Sequence, residues 1–124
     1  MQKKSSRYRN GVEVTLDIIG GKWKSVILYH LITGKKRNNE LLRLIPVITQ
    51  KMLTRQLREL ESDGIINRIV YHQIPPKVEY ELSEYGWSLK NILDQFCWWG
   101  ENHVEKNYED KSLILECYSE EHKS

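Results

Sequence analysis

The segment ITQKMLTRQLRELESDGII, Ile48 to Ile66, constrains this chain more than any other. Leu53, Leu57 and Leu60 recur at four and three residues with Met52 beside them, while Lys51, Thr54, Arg55 and Arg58 fall on the other side. This spacing predicts a helix of about fifteen residues, roughly 22 Å long, with one face for a core and the other for an anion. Thr49 stands where a side-chain oxygen accepts from the free first-turn amides, and Gly64 after Asp63 suits a left-handed stop. Beyond the glycine the pattern changes. Ile65 to Tyr71 is rich in β-branched residues, and Val78, Tyr80 and Leu82 alternate with Glu79 and Glu81 at the period of a strand. Between these strands Pro75-Pro76 donates no ladder hydrogen bonds, so His72 to Lys77 is expected to be a stiff, projecting tip with Lys77 at its base.

Three shorter helices are expected upstream. Val12, Leu16 and Ile19 make a stripe closed by Gly20-Gly21; Trp23, Val26, Ile27, Leu28 and Leu31 make Lys22 to Ile32 too apolar to lie exposed; and Asn38 or Asn39 caps a helix carrying Leu41, Leu42, Leu44 and Ile45 as far as Pro46. Downstream, Ser83 is expected to cap a long helix in which Tyr85, Leu89, Ile92, Leu93, Phe96 and Trp99 recur at three and four, reaching His103 or Val104. Such a stripe covers about 20 residues, roughly 30 Å. A small domain has little other core to bury it, so a second copy of the chain is the expected cover, with Val12, Leu16, Ile19, Leu89, Ile92, Phe96 and Trp99 at the interface. Packing of the stripe on the first helix of the same chain is the alternative. Residues 1–9 read as a basic arm and 107–124 as a tail with a short helix around Leu113 to Cys117.

At 124 residues and 40% hydrophobic content, residues 1–124 suit one domain. The net charge of +2 hides an asymmetry: Lys22 to Lys77 holds eleven Lys and Arg against four Asp and Glu, and Val78 to Ser124 holds four against eleven. A basic block on a helix and hairpin is the footprint of a polyanion partner. The absence of an apolar run of membrane-spanning length and of a signal-peptide pattern places the expected location in the cytoplasm. Cys97 and Cys117 form no CxxC pair, and His30, His72, His103 and His122 show no ligand spacing, so neither a metal nor a cofactor is expected. Glycine-rich phosphate loops, HExxH and nucleophile triads are lacking, which argues against an enzyme.

The expected fold class is mainly α with a small β-hairpin wing, a winged helix-turn-helix. Three strings narrow it: LDIIGGKW (Leu16 to Trp23), ITQKMLTRQLRELESDGIINR (Ile48 to Arg68) and PPKVEYELSEYG (Pro75 to Gly86), followed by Trp99-Gly100. They closely resemble the HxlR-type transcriptional regulators, relatives of the MarR group, over roughly Val12 to Gly100. The resemblance implies a homodimeric bacterial regulator of double-stranded DNA, joined through its terminal helices, with two recognition helices in successive major grooves. Some members sense electrophiles or oxidants through a Cys-Pro pair ahead of the first helix; Asn10 and Gly11 stand there in this chain.

On that reading Thr49, Gln50 and Lys51 meet the duplex first, with Thr54 and Arg58 on the same face and Arg55 the best candidate for reading a base. Lys36, Arg37, His72 and Lys77 are expected on phosphates. Arg58 has a structural alternative, pairing with Glu61 or Glu59. Two rival readings stand beside this one: a winged helix that docks proteins without DNA affinity, and a thiol redox sensor using Cys97 or Cys117. An unidentified small-molecule or electrophile effector, held among the Trp and Tyr residues, is a further expected partner.

Overall fold

The computed structural model describes residues 7–109 and 114–116. Its contacts fall into two compact units, residues 1–89 and 90–124. The first holds helices α1 (Gly11–Ile19), α2 (Lys24–Leu31), α3 (Asn38–Leu44) and α4 (Gln50–Ser62), strands β1 (Ile66–Tyr71) and β2 (Lys77–Leu82), and a 3-10 turn at Gly86–Leu89. The second holds α5 (Lys90–Asn107).

Helix α4 forms as its sequence requires. Thr49 is extended and its Oγ1 accepts from the Met52 amide at 3.1 Å, while Leu53, Leu57 and Leu60 are buried. This inner face packs on α2, α3 and β1. Each fully buried leucine contributes about 1.5–3 kcal/mol, which a helix of this length needs because its own hydrogen bonds leave it marginal. The helix ends at Gly64, whose φ of 77° lies in the left-handed region.

The hairpin pairs β1 and β2 antiparallel, with Ile66 opposite Leu82 and Arg68 opposite Tyr80. It is tied down at both ends. At its base the Ser83 amide donates to the Ile65 carbonyl, the Ser83 hydroxyl donates to Gly64 O at 2.7 Å, and the Gly86 amide donates to that hydroxyl. Gly86 allows this closure, since a Cβ there would sit 2.1 Å from the Ile65 carbonyl oxygen. Along its side, the Lys36 amide donates to Tyr80 O and the Tyr80 amide to Lys36 O. The α2–α3 loop thereby adds a single bridge to the two-stranded sheet, which is also supported by the packing of β1 on α4 and β2 on α2.

Several expected boundaries move. Helix α3 is entered through Arg37 rather than Asn38 or Asn39, because Glu40 Oε1 accepts from the Arg37 amide at 2.7 Å and starts the helix one residue early. Asn10 proves to be the cap of α1, its Oδ1 accepting from the Glu13 amide at 3.0 Å. Ser83 does cap the segment after the hairpin, but that segment opens as the 3-10 turn before α5 begins at Lys90. Of the short helix expected around Leu113 to Cys117, only 114–116 are described, and they form a turn and bend; Cys117 lies outside the described residues.

Within α5, Leu93 and Val104 are buried whereas Ile92, Phe96 and Trp99 are exposed, Trp99 at 70%. The Trp99 and His103 rings stack with centroids 5.4 Å apart.

Gly64→Ala is expected to lower unfolding free energy by about 1–2 kcal/mol, because a Cβ opposes the left-handed conformation. Gly11→Ala, at a helical position with nothing within 4 Å of the added Cβ, should instead raise it by up to about 1 kcal/mol. Urea unfolding of the two variants compares them; equal effects would contradict the assignment.

Candidate nucleic-acid interface

The side of α4 opposite the leucines is polar throughout. Thr49, Gln50, Lys51, Arg55 and Arg58 are exposed and Thr54 is half-buried. Besides Thr49 at the cap, three of these side chains have partners within the chain. Gln50 Nε2 donates to Thr54 Oγ1 at 2.9 Å, and Arg55 Nε lies 3.8 Å from Glu59 Oε2. Glu59 is gripped harder from the other direction: Lys24 Nζ on α2 is 2.7 Å from its Oε1. Lys24 is 7% exposed, an unusual burial for an ammonium and one that requires a paired anion. Of the two acids weighed as partners of Arg58, Glu59 is thus shown bound to Lys24 and Arg55, while Arg58 and Glu61 both line a cleft.

That cleft lies beside α4, about 400 Å³ in volume and bordered by Thr54, Arg58, Glu61, Arg68 and Tyr80. Arg68 was not among the residues selected from sequence. Its strand, INRIVY, reads as a hydrophobic run with one charge, and it is the packing of β1 on α4 that brings Arg68 to the same cleft as Arg58. The available signal was period-two alternation: Ile66 is buried and Arg68, two residues on, shares its face at the open end of the hairpin.

Two residues assigned to phosphate contacts are placed differently. Lys36 Nζ turns back to donate to Thr33 Oγ1 and Gly34 O, each at 3.0 Å, so this ammonium braces its own loop. Lys77 is half-buried, 4.7 Å above the centre of the Tyr71 ring and 3.8 Å from Glu79 Oε2, and Tyr71 also donates to Glu79 at 2.9 Å. It serves the hairpin rather than presenting a loose charge at its tip. Arg37 and His72 are exposed as expected. Ile19, selected for contact with a second copy, is completely buried and leaves that surface, whereas Val12 and Leu16 are exposed at 66% and 58%. Leu89 is half-buried.

Cys97 on α5 is half-buried, its Sγ 3.5 Å from Glu101 Oε2 one turn along the helix. Among the described residues no group of His, Cys, Asp and Glu could hold a metal ion, and no helix is long and apolar enough to cross a membrane.

A helix capped by Thr49 with a cationic outer face, set between an α3 entry at Arg37 and a hairpin bearing Arg68, is the arrangement of a winged helix-turn-helix. A family model for the HxlR-like helix-turn-helix matches residues 18–108. This chain belongs to the HxlR-like family. Among its relatives, the HTH-type transcriptional regulator YtcD of Bacillus subtilis (strain 168) is 66% identical over 116 residues, spanning 94% of this chain and 90% of YtcD. A crystal structure of ytcD superimposes with a TM-score of 0.74 at 70% identity, over 77% of this chain and 98% of that one. The redox regulator HypR in its reduced form superimposes with a TM-score of 0.75 at 58% identity, over 80% of this chain and all of the other. This HxlR-like chain is a transcriptional regulator with a helix-turn-helix fold, and its relatives are described as regulators, not enzymes.

The last turn of α2, next to the loop braced by Lys36, contains a titratable group. Burial pushes the His30 imidazole below its ordinary 6.5, and the Lys36 ammonium adds to the shift. The unfolded chain therefore takes up this proton at a higher pH than the folded one, so the stability His30 contributes is full above about pH 6.5 and is lost as pH falls below that value. Thermal unfolding of wild type and His30→Leu, followed from about pH 7.5 to 5, should show a shallower decline for the variant. Parallel curves would remove His30 as the cause.

Proposed function

We propose that this HxlR-like regulator binds an inverted-repeat operator in duplex DNA as a homodimer, with the recognition helix Thr49 to Asp63 in the major groove and the wing His72 to Lys77 on the backbone or minor groove. The observation that carries this reading is the division of α4: its leucines are buried while Gln50, Lys51, Arg55 and Arg58 face outward, Arg58 sharing a cleft with Arg68. Gln50 offers adenine a donor and an acceptor, and Arg55 offers guanine a fork of donors. Thr49, Lys51, Thr54, Arg37, Arg58, Arg68 and His72 supply the positions for phosphate contacts, which fix register without reading sequence. The exposed apolar residues Val12 and Leu16 on α1, and Ile92, Phe96 and Trp99 on α5, support a second copy as the dimer partner. Twofold symmetry then sets the two half-sites about one helical turn, roughly 34 Å, apart.

The redox alternative draws on HypR, a redox regulator by description. In this chain the position just ahead of α1 is occupied by Asn10, which is committed to capping the helix. A thiol route would have to use Cys97 or Cys117. If diamide releases the wild-type protein from its operator but not a double serine variant, the redox reading takes precedence.

With about 6 to 8 phosphates neutralised by the dimer, log affinity against log salt should fall with a slope of around −5 to −7, and a slope near zero in fluorescence titration would remove the DNA reading. Arg68→Ala should make that slope shallower by about 1 while weakening all duplexes alike. Trp99→Glu should shift the chain toward monomer in analytical ultracentrifugation, since a charge at the centre of an apolar contact is left without a partner. An unchanged sedimentation profile would place the dimer surface elsewhere.

A further inference from the structure

Arg55 is the outermost base-reading candidate on α4, yet it has a carboxylate one turn behind it on the same face. An arginine and a glutamate at i and i+4 pair on a helix, and a glutamate so placed competes with DNA for the guanidinium. Here Glu59 makes two ion pairs of unequal length: its Oε2 is 3.8 Å from Arg55 Nε, whereas its Oε1 is 2.7 Å from Lys24 Nζ. The tighter contact belongs to the buried ammonium. Lys24 retains 9% side-chain exposure, so its charge is poorly screened by water, while Arg55 at 75% is well screened.

We infer that Lys24 is a positioning residue for DNA reading: by drawing Glu59 toward α2 it neutralises the acid that would otherwise close on Arg55, and leaves the guanidinium available to a base. This rests on the proposed reading of DNA by α4. It explains why a lysine is buried at the start of α2, where a methionine of the same length would pack without needing an anion. Glu59 becomes a shared ligand between a fixed inner cation and a releasable outer one. Its position, and through it the orientation of Arg55, is set from the core side of the recognition helix.

The test begins with a duplex selected by the wild-type protein from a randomised DNA library. Failure of any sequence to enrich would fail the underlying DNA reading, separately from the role of Lys24. On the selected duplex, Lys24→Met should weaken binding about tenfold, the scale of one charge-assisted contact. Lys24→Arg should retain wild-type binding if the charge is what matters. Adding Glu59→Gln to Lys24→Met removes both the ammonium and its competitor and should restore affinity to within about threefold, while in an Arg55→Ala background Lys24→Met should have no further effect. A general loss of fold would be neither rescued by Glu59→Gln nor masked by Arg55→Ala. Thermal melts accompany each titration to identify any variant that unfolds, and nitrogen NMR of the free proteins supplies a second reading: Arg55 Nε–H exchange should slow in Lys24→Met as Glu59 closes on it. Unchanged exchange together with unrescued binding would overturn the inference.

Discussion

Burial of Leu53, Leu57 and Leu60 is the constraint on which the rest of this molecule depends. Three side chains on one stripe fix the rotation of α4 about its own axis, and every outward residue inherits its direction from that rotation. A slip of one residue would turn the helix by about 100° and bury a basic side chain in place of a leucine. The cap at Thr49 and the stop at Gly64 settle where the helix begins and ends; the leucines settle which way it faces. The hairpin follows from the same anchoring, because Ile65 and Ile66 continue the buried surface directly beyond the glycine.

Charge is distributed on this frame with unequal commitment. Lys24, Lys36 and Lys77 have their ammonium groups engaged inside the fold, with a carboxylate, loop oxygens, and a ring and carboxylate respectively. The arginines are different: Arg37, Arg55, Arg58 and Arg68 keep their side chains at the surface. A planar guanidinium with several donors suits bidentate recognition, and a compact ammonium suits a single buried anion. The basic block seen along the chain therefore includes ammonium groups that brace the fold and guanidinium groups that stay at the surface.

The periodic features were legible before the fold was seen. The leucine spacing located α4, Thr49 and Gly64 marked its ends, and the alternation at Val78, Tyr80 and Leu82 located the second strand, because each depends on neighbours within a few residues. What escaped sequence reading depends on which partner each side chain takes, near or far in the chain. Arg37 entering α3 requires the reach of Glu40, a local contact hidden by two adjacent asparagines that are better caps by type. The engagement of Lys36 requires the α2–α3 loop to fold back, and the role of Lys24 requires α4 to lie against α2. Ile19 was read as surface because a short stripe of three apolar residues does not reveal how wide its buried arc is. Arg68 was passed over because a lone charge in a strand looks like an edge residue until its cross-strand partner is known.

The one-residue bridge at Lys36 turns these separate contacts into a measuring device. Lys36, Tyr80 and Arg68 form a single rung across three segments of the chain, Lys36 hydrogen-bonded to Tyr80 through the backbone and Tyr80 paired with Arg68. Adjacent strands stand about 4.8 Å apart, so the entry to α3 and the arginine of the hairpin are separated by roughly 10 Å in a direction set by main-chain bonds alone. Side-chain substitution along this rung can alter charge or reach without altering its gauge, much as the marks on a ruler can be repainted without changing their spacing.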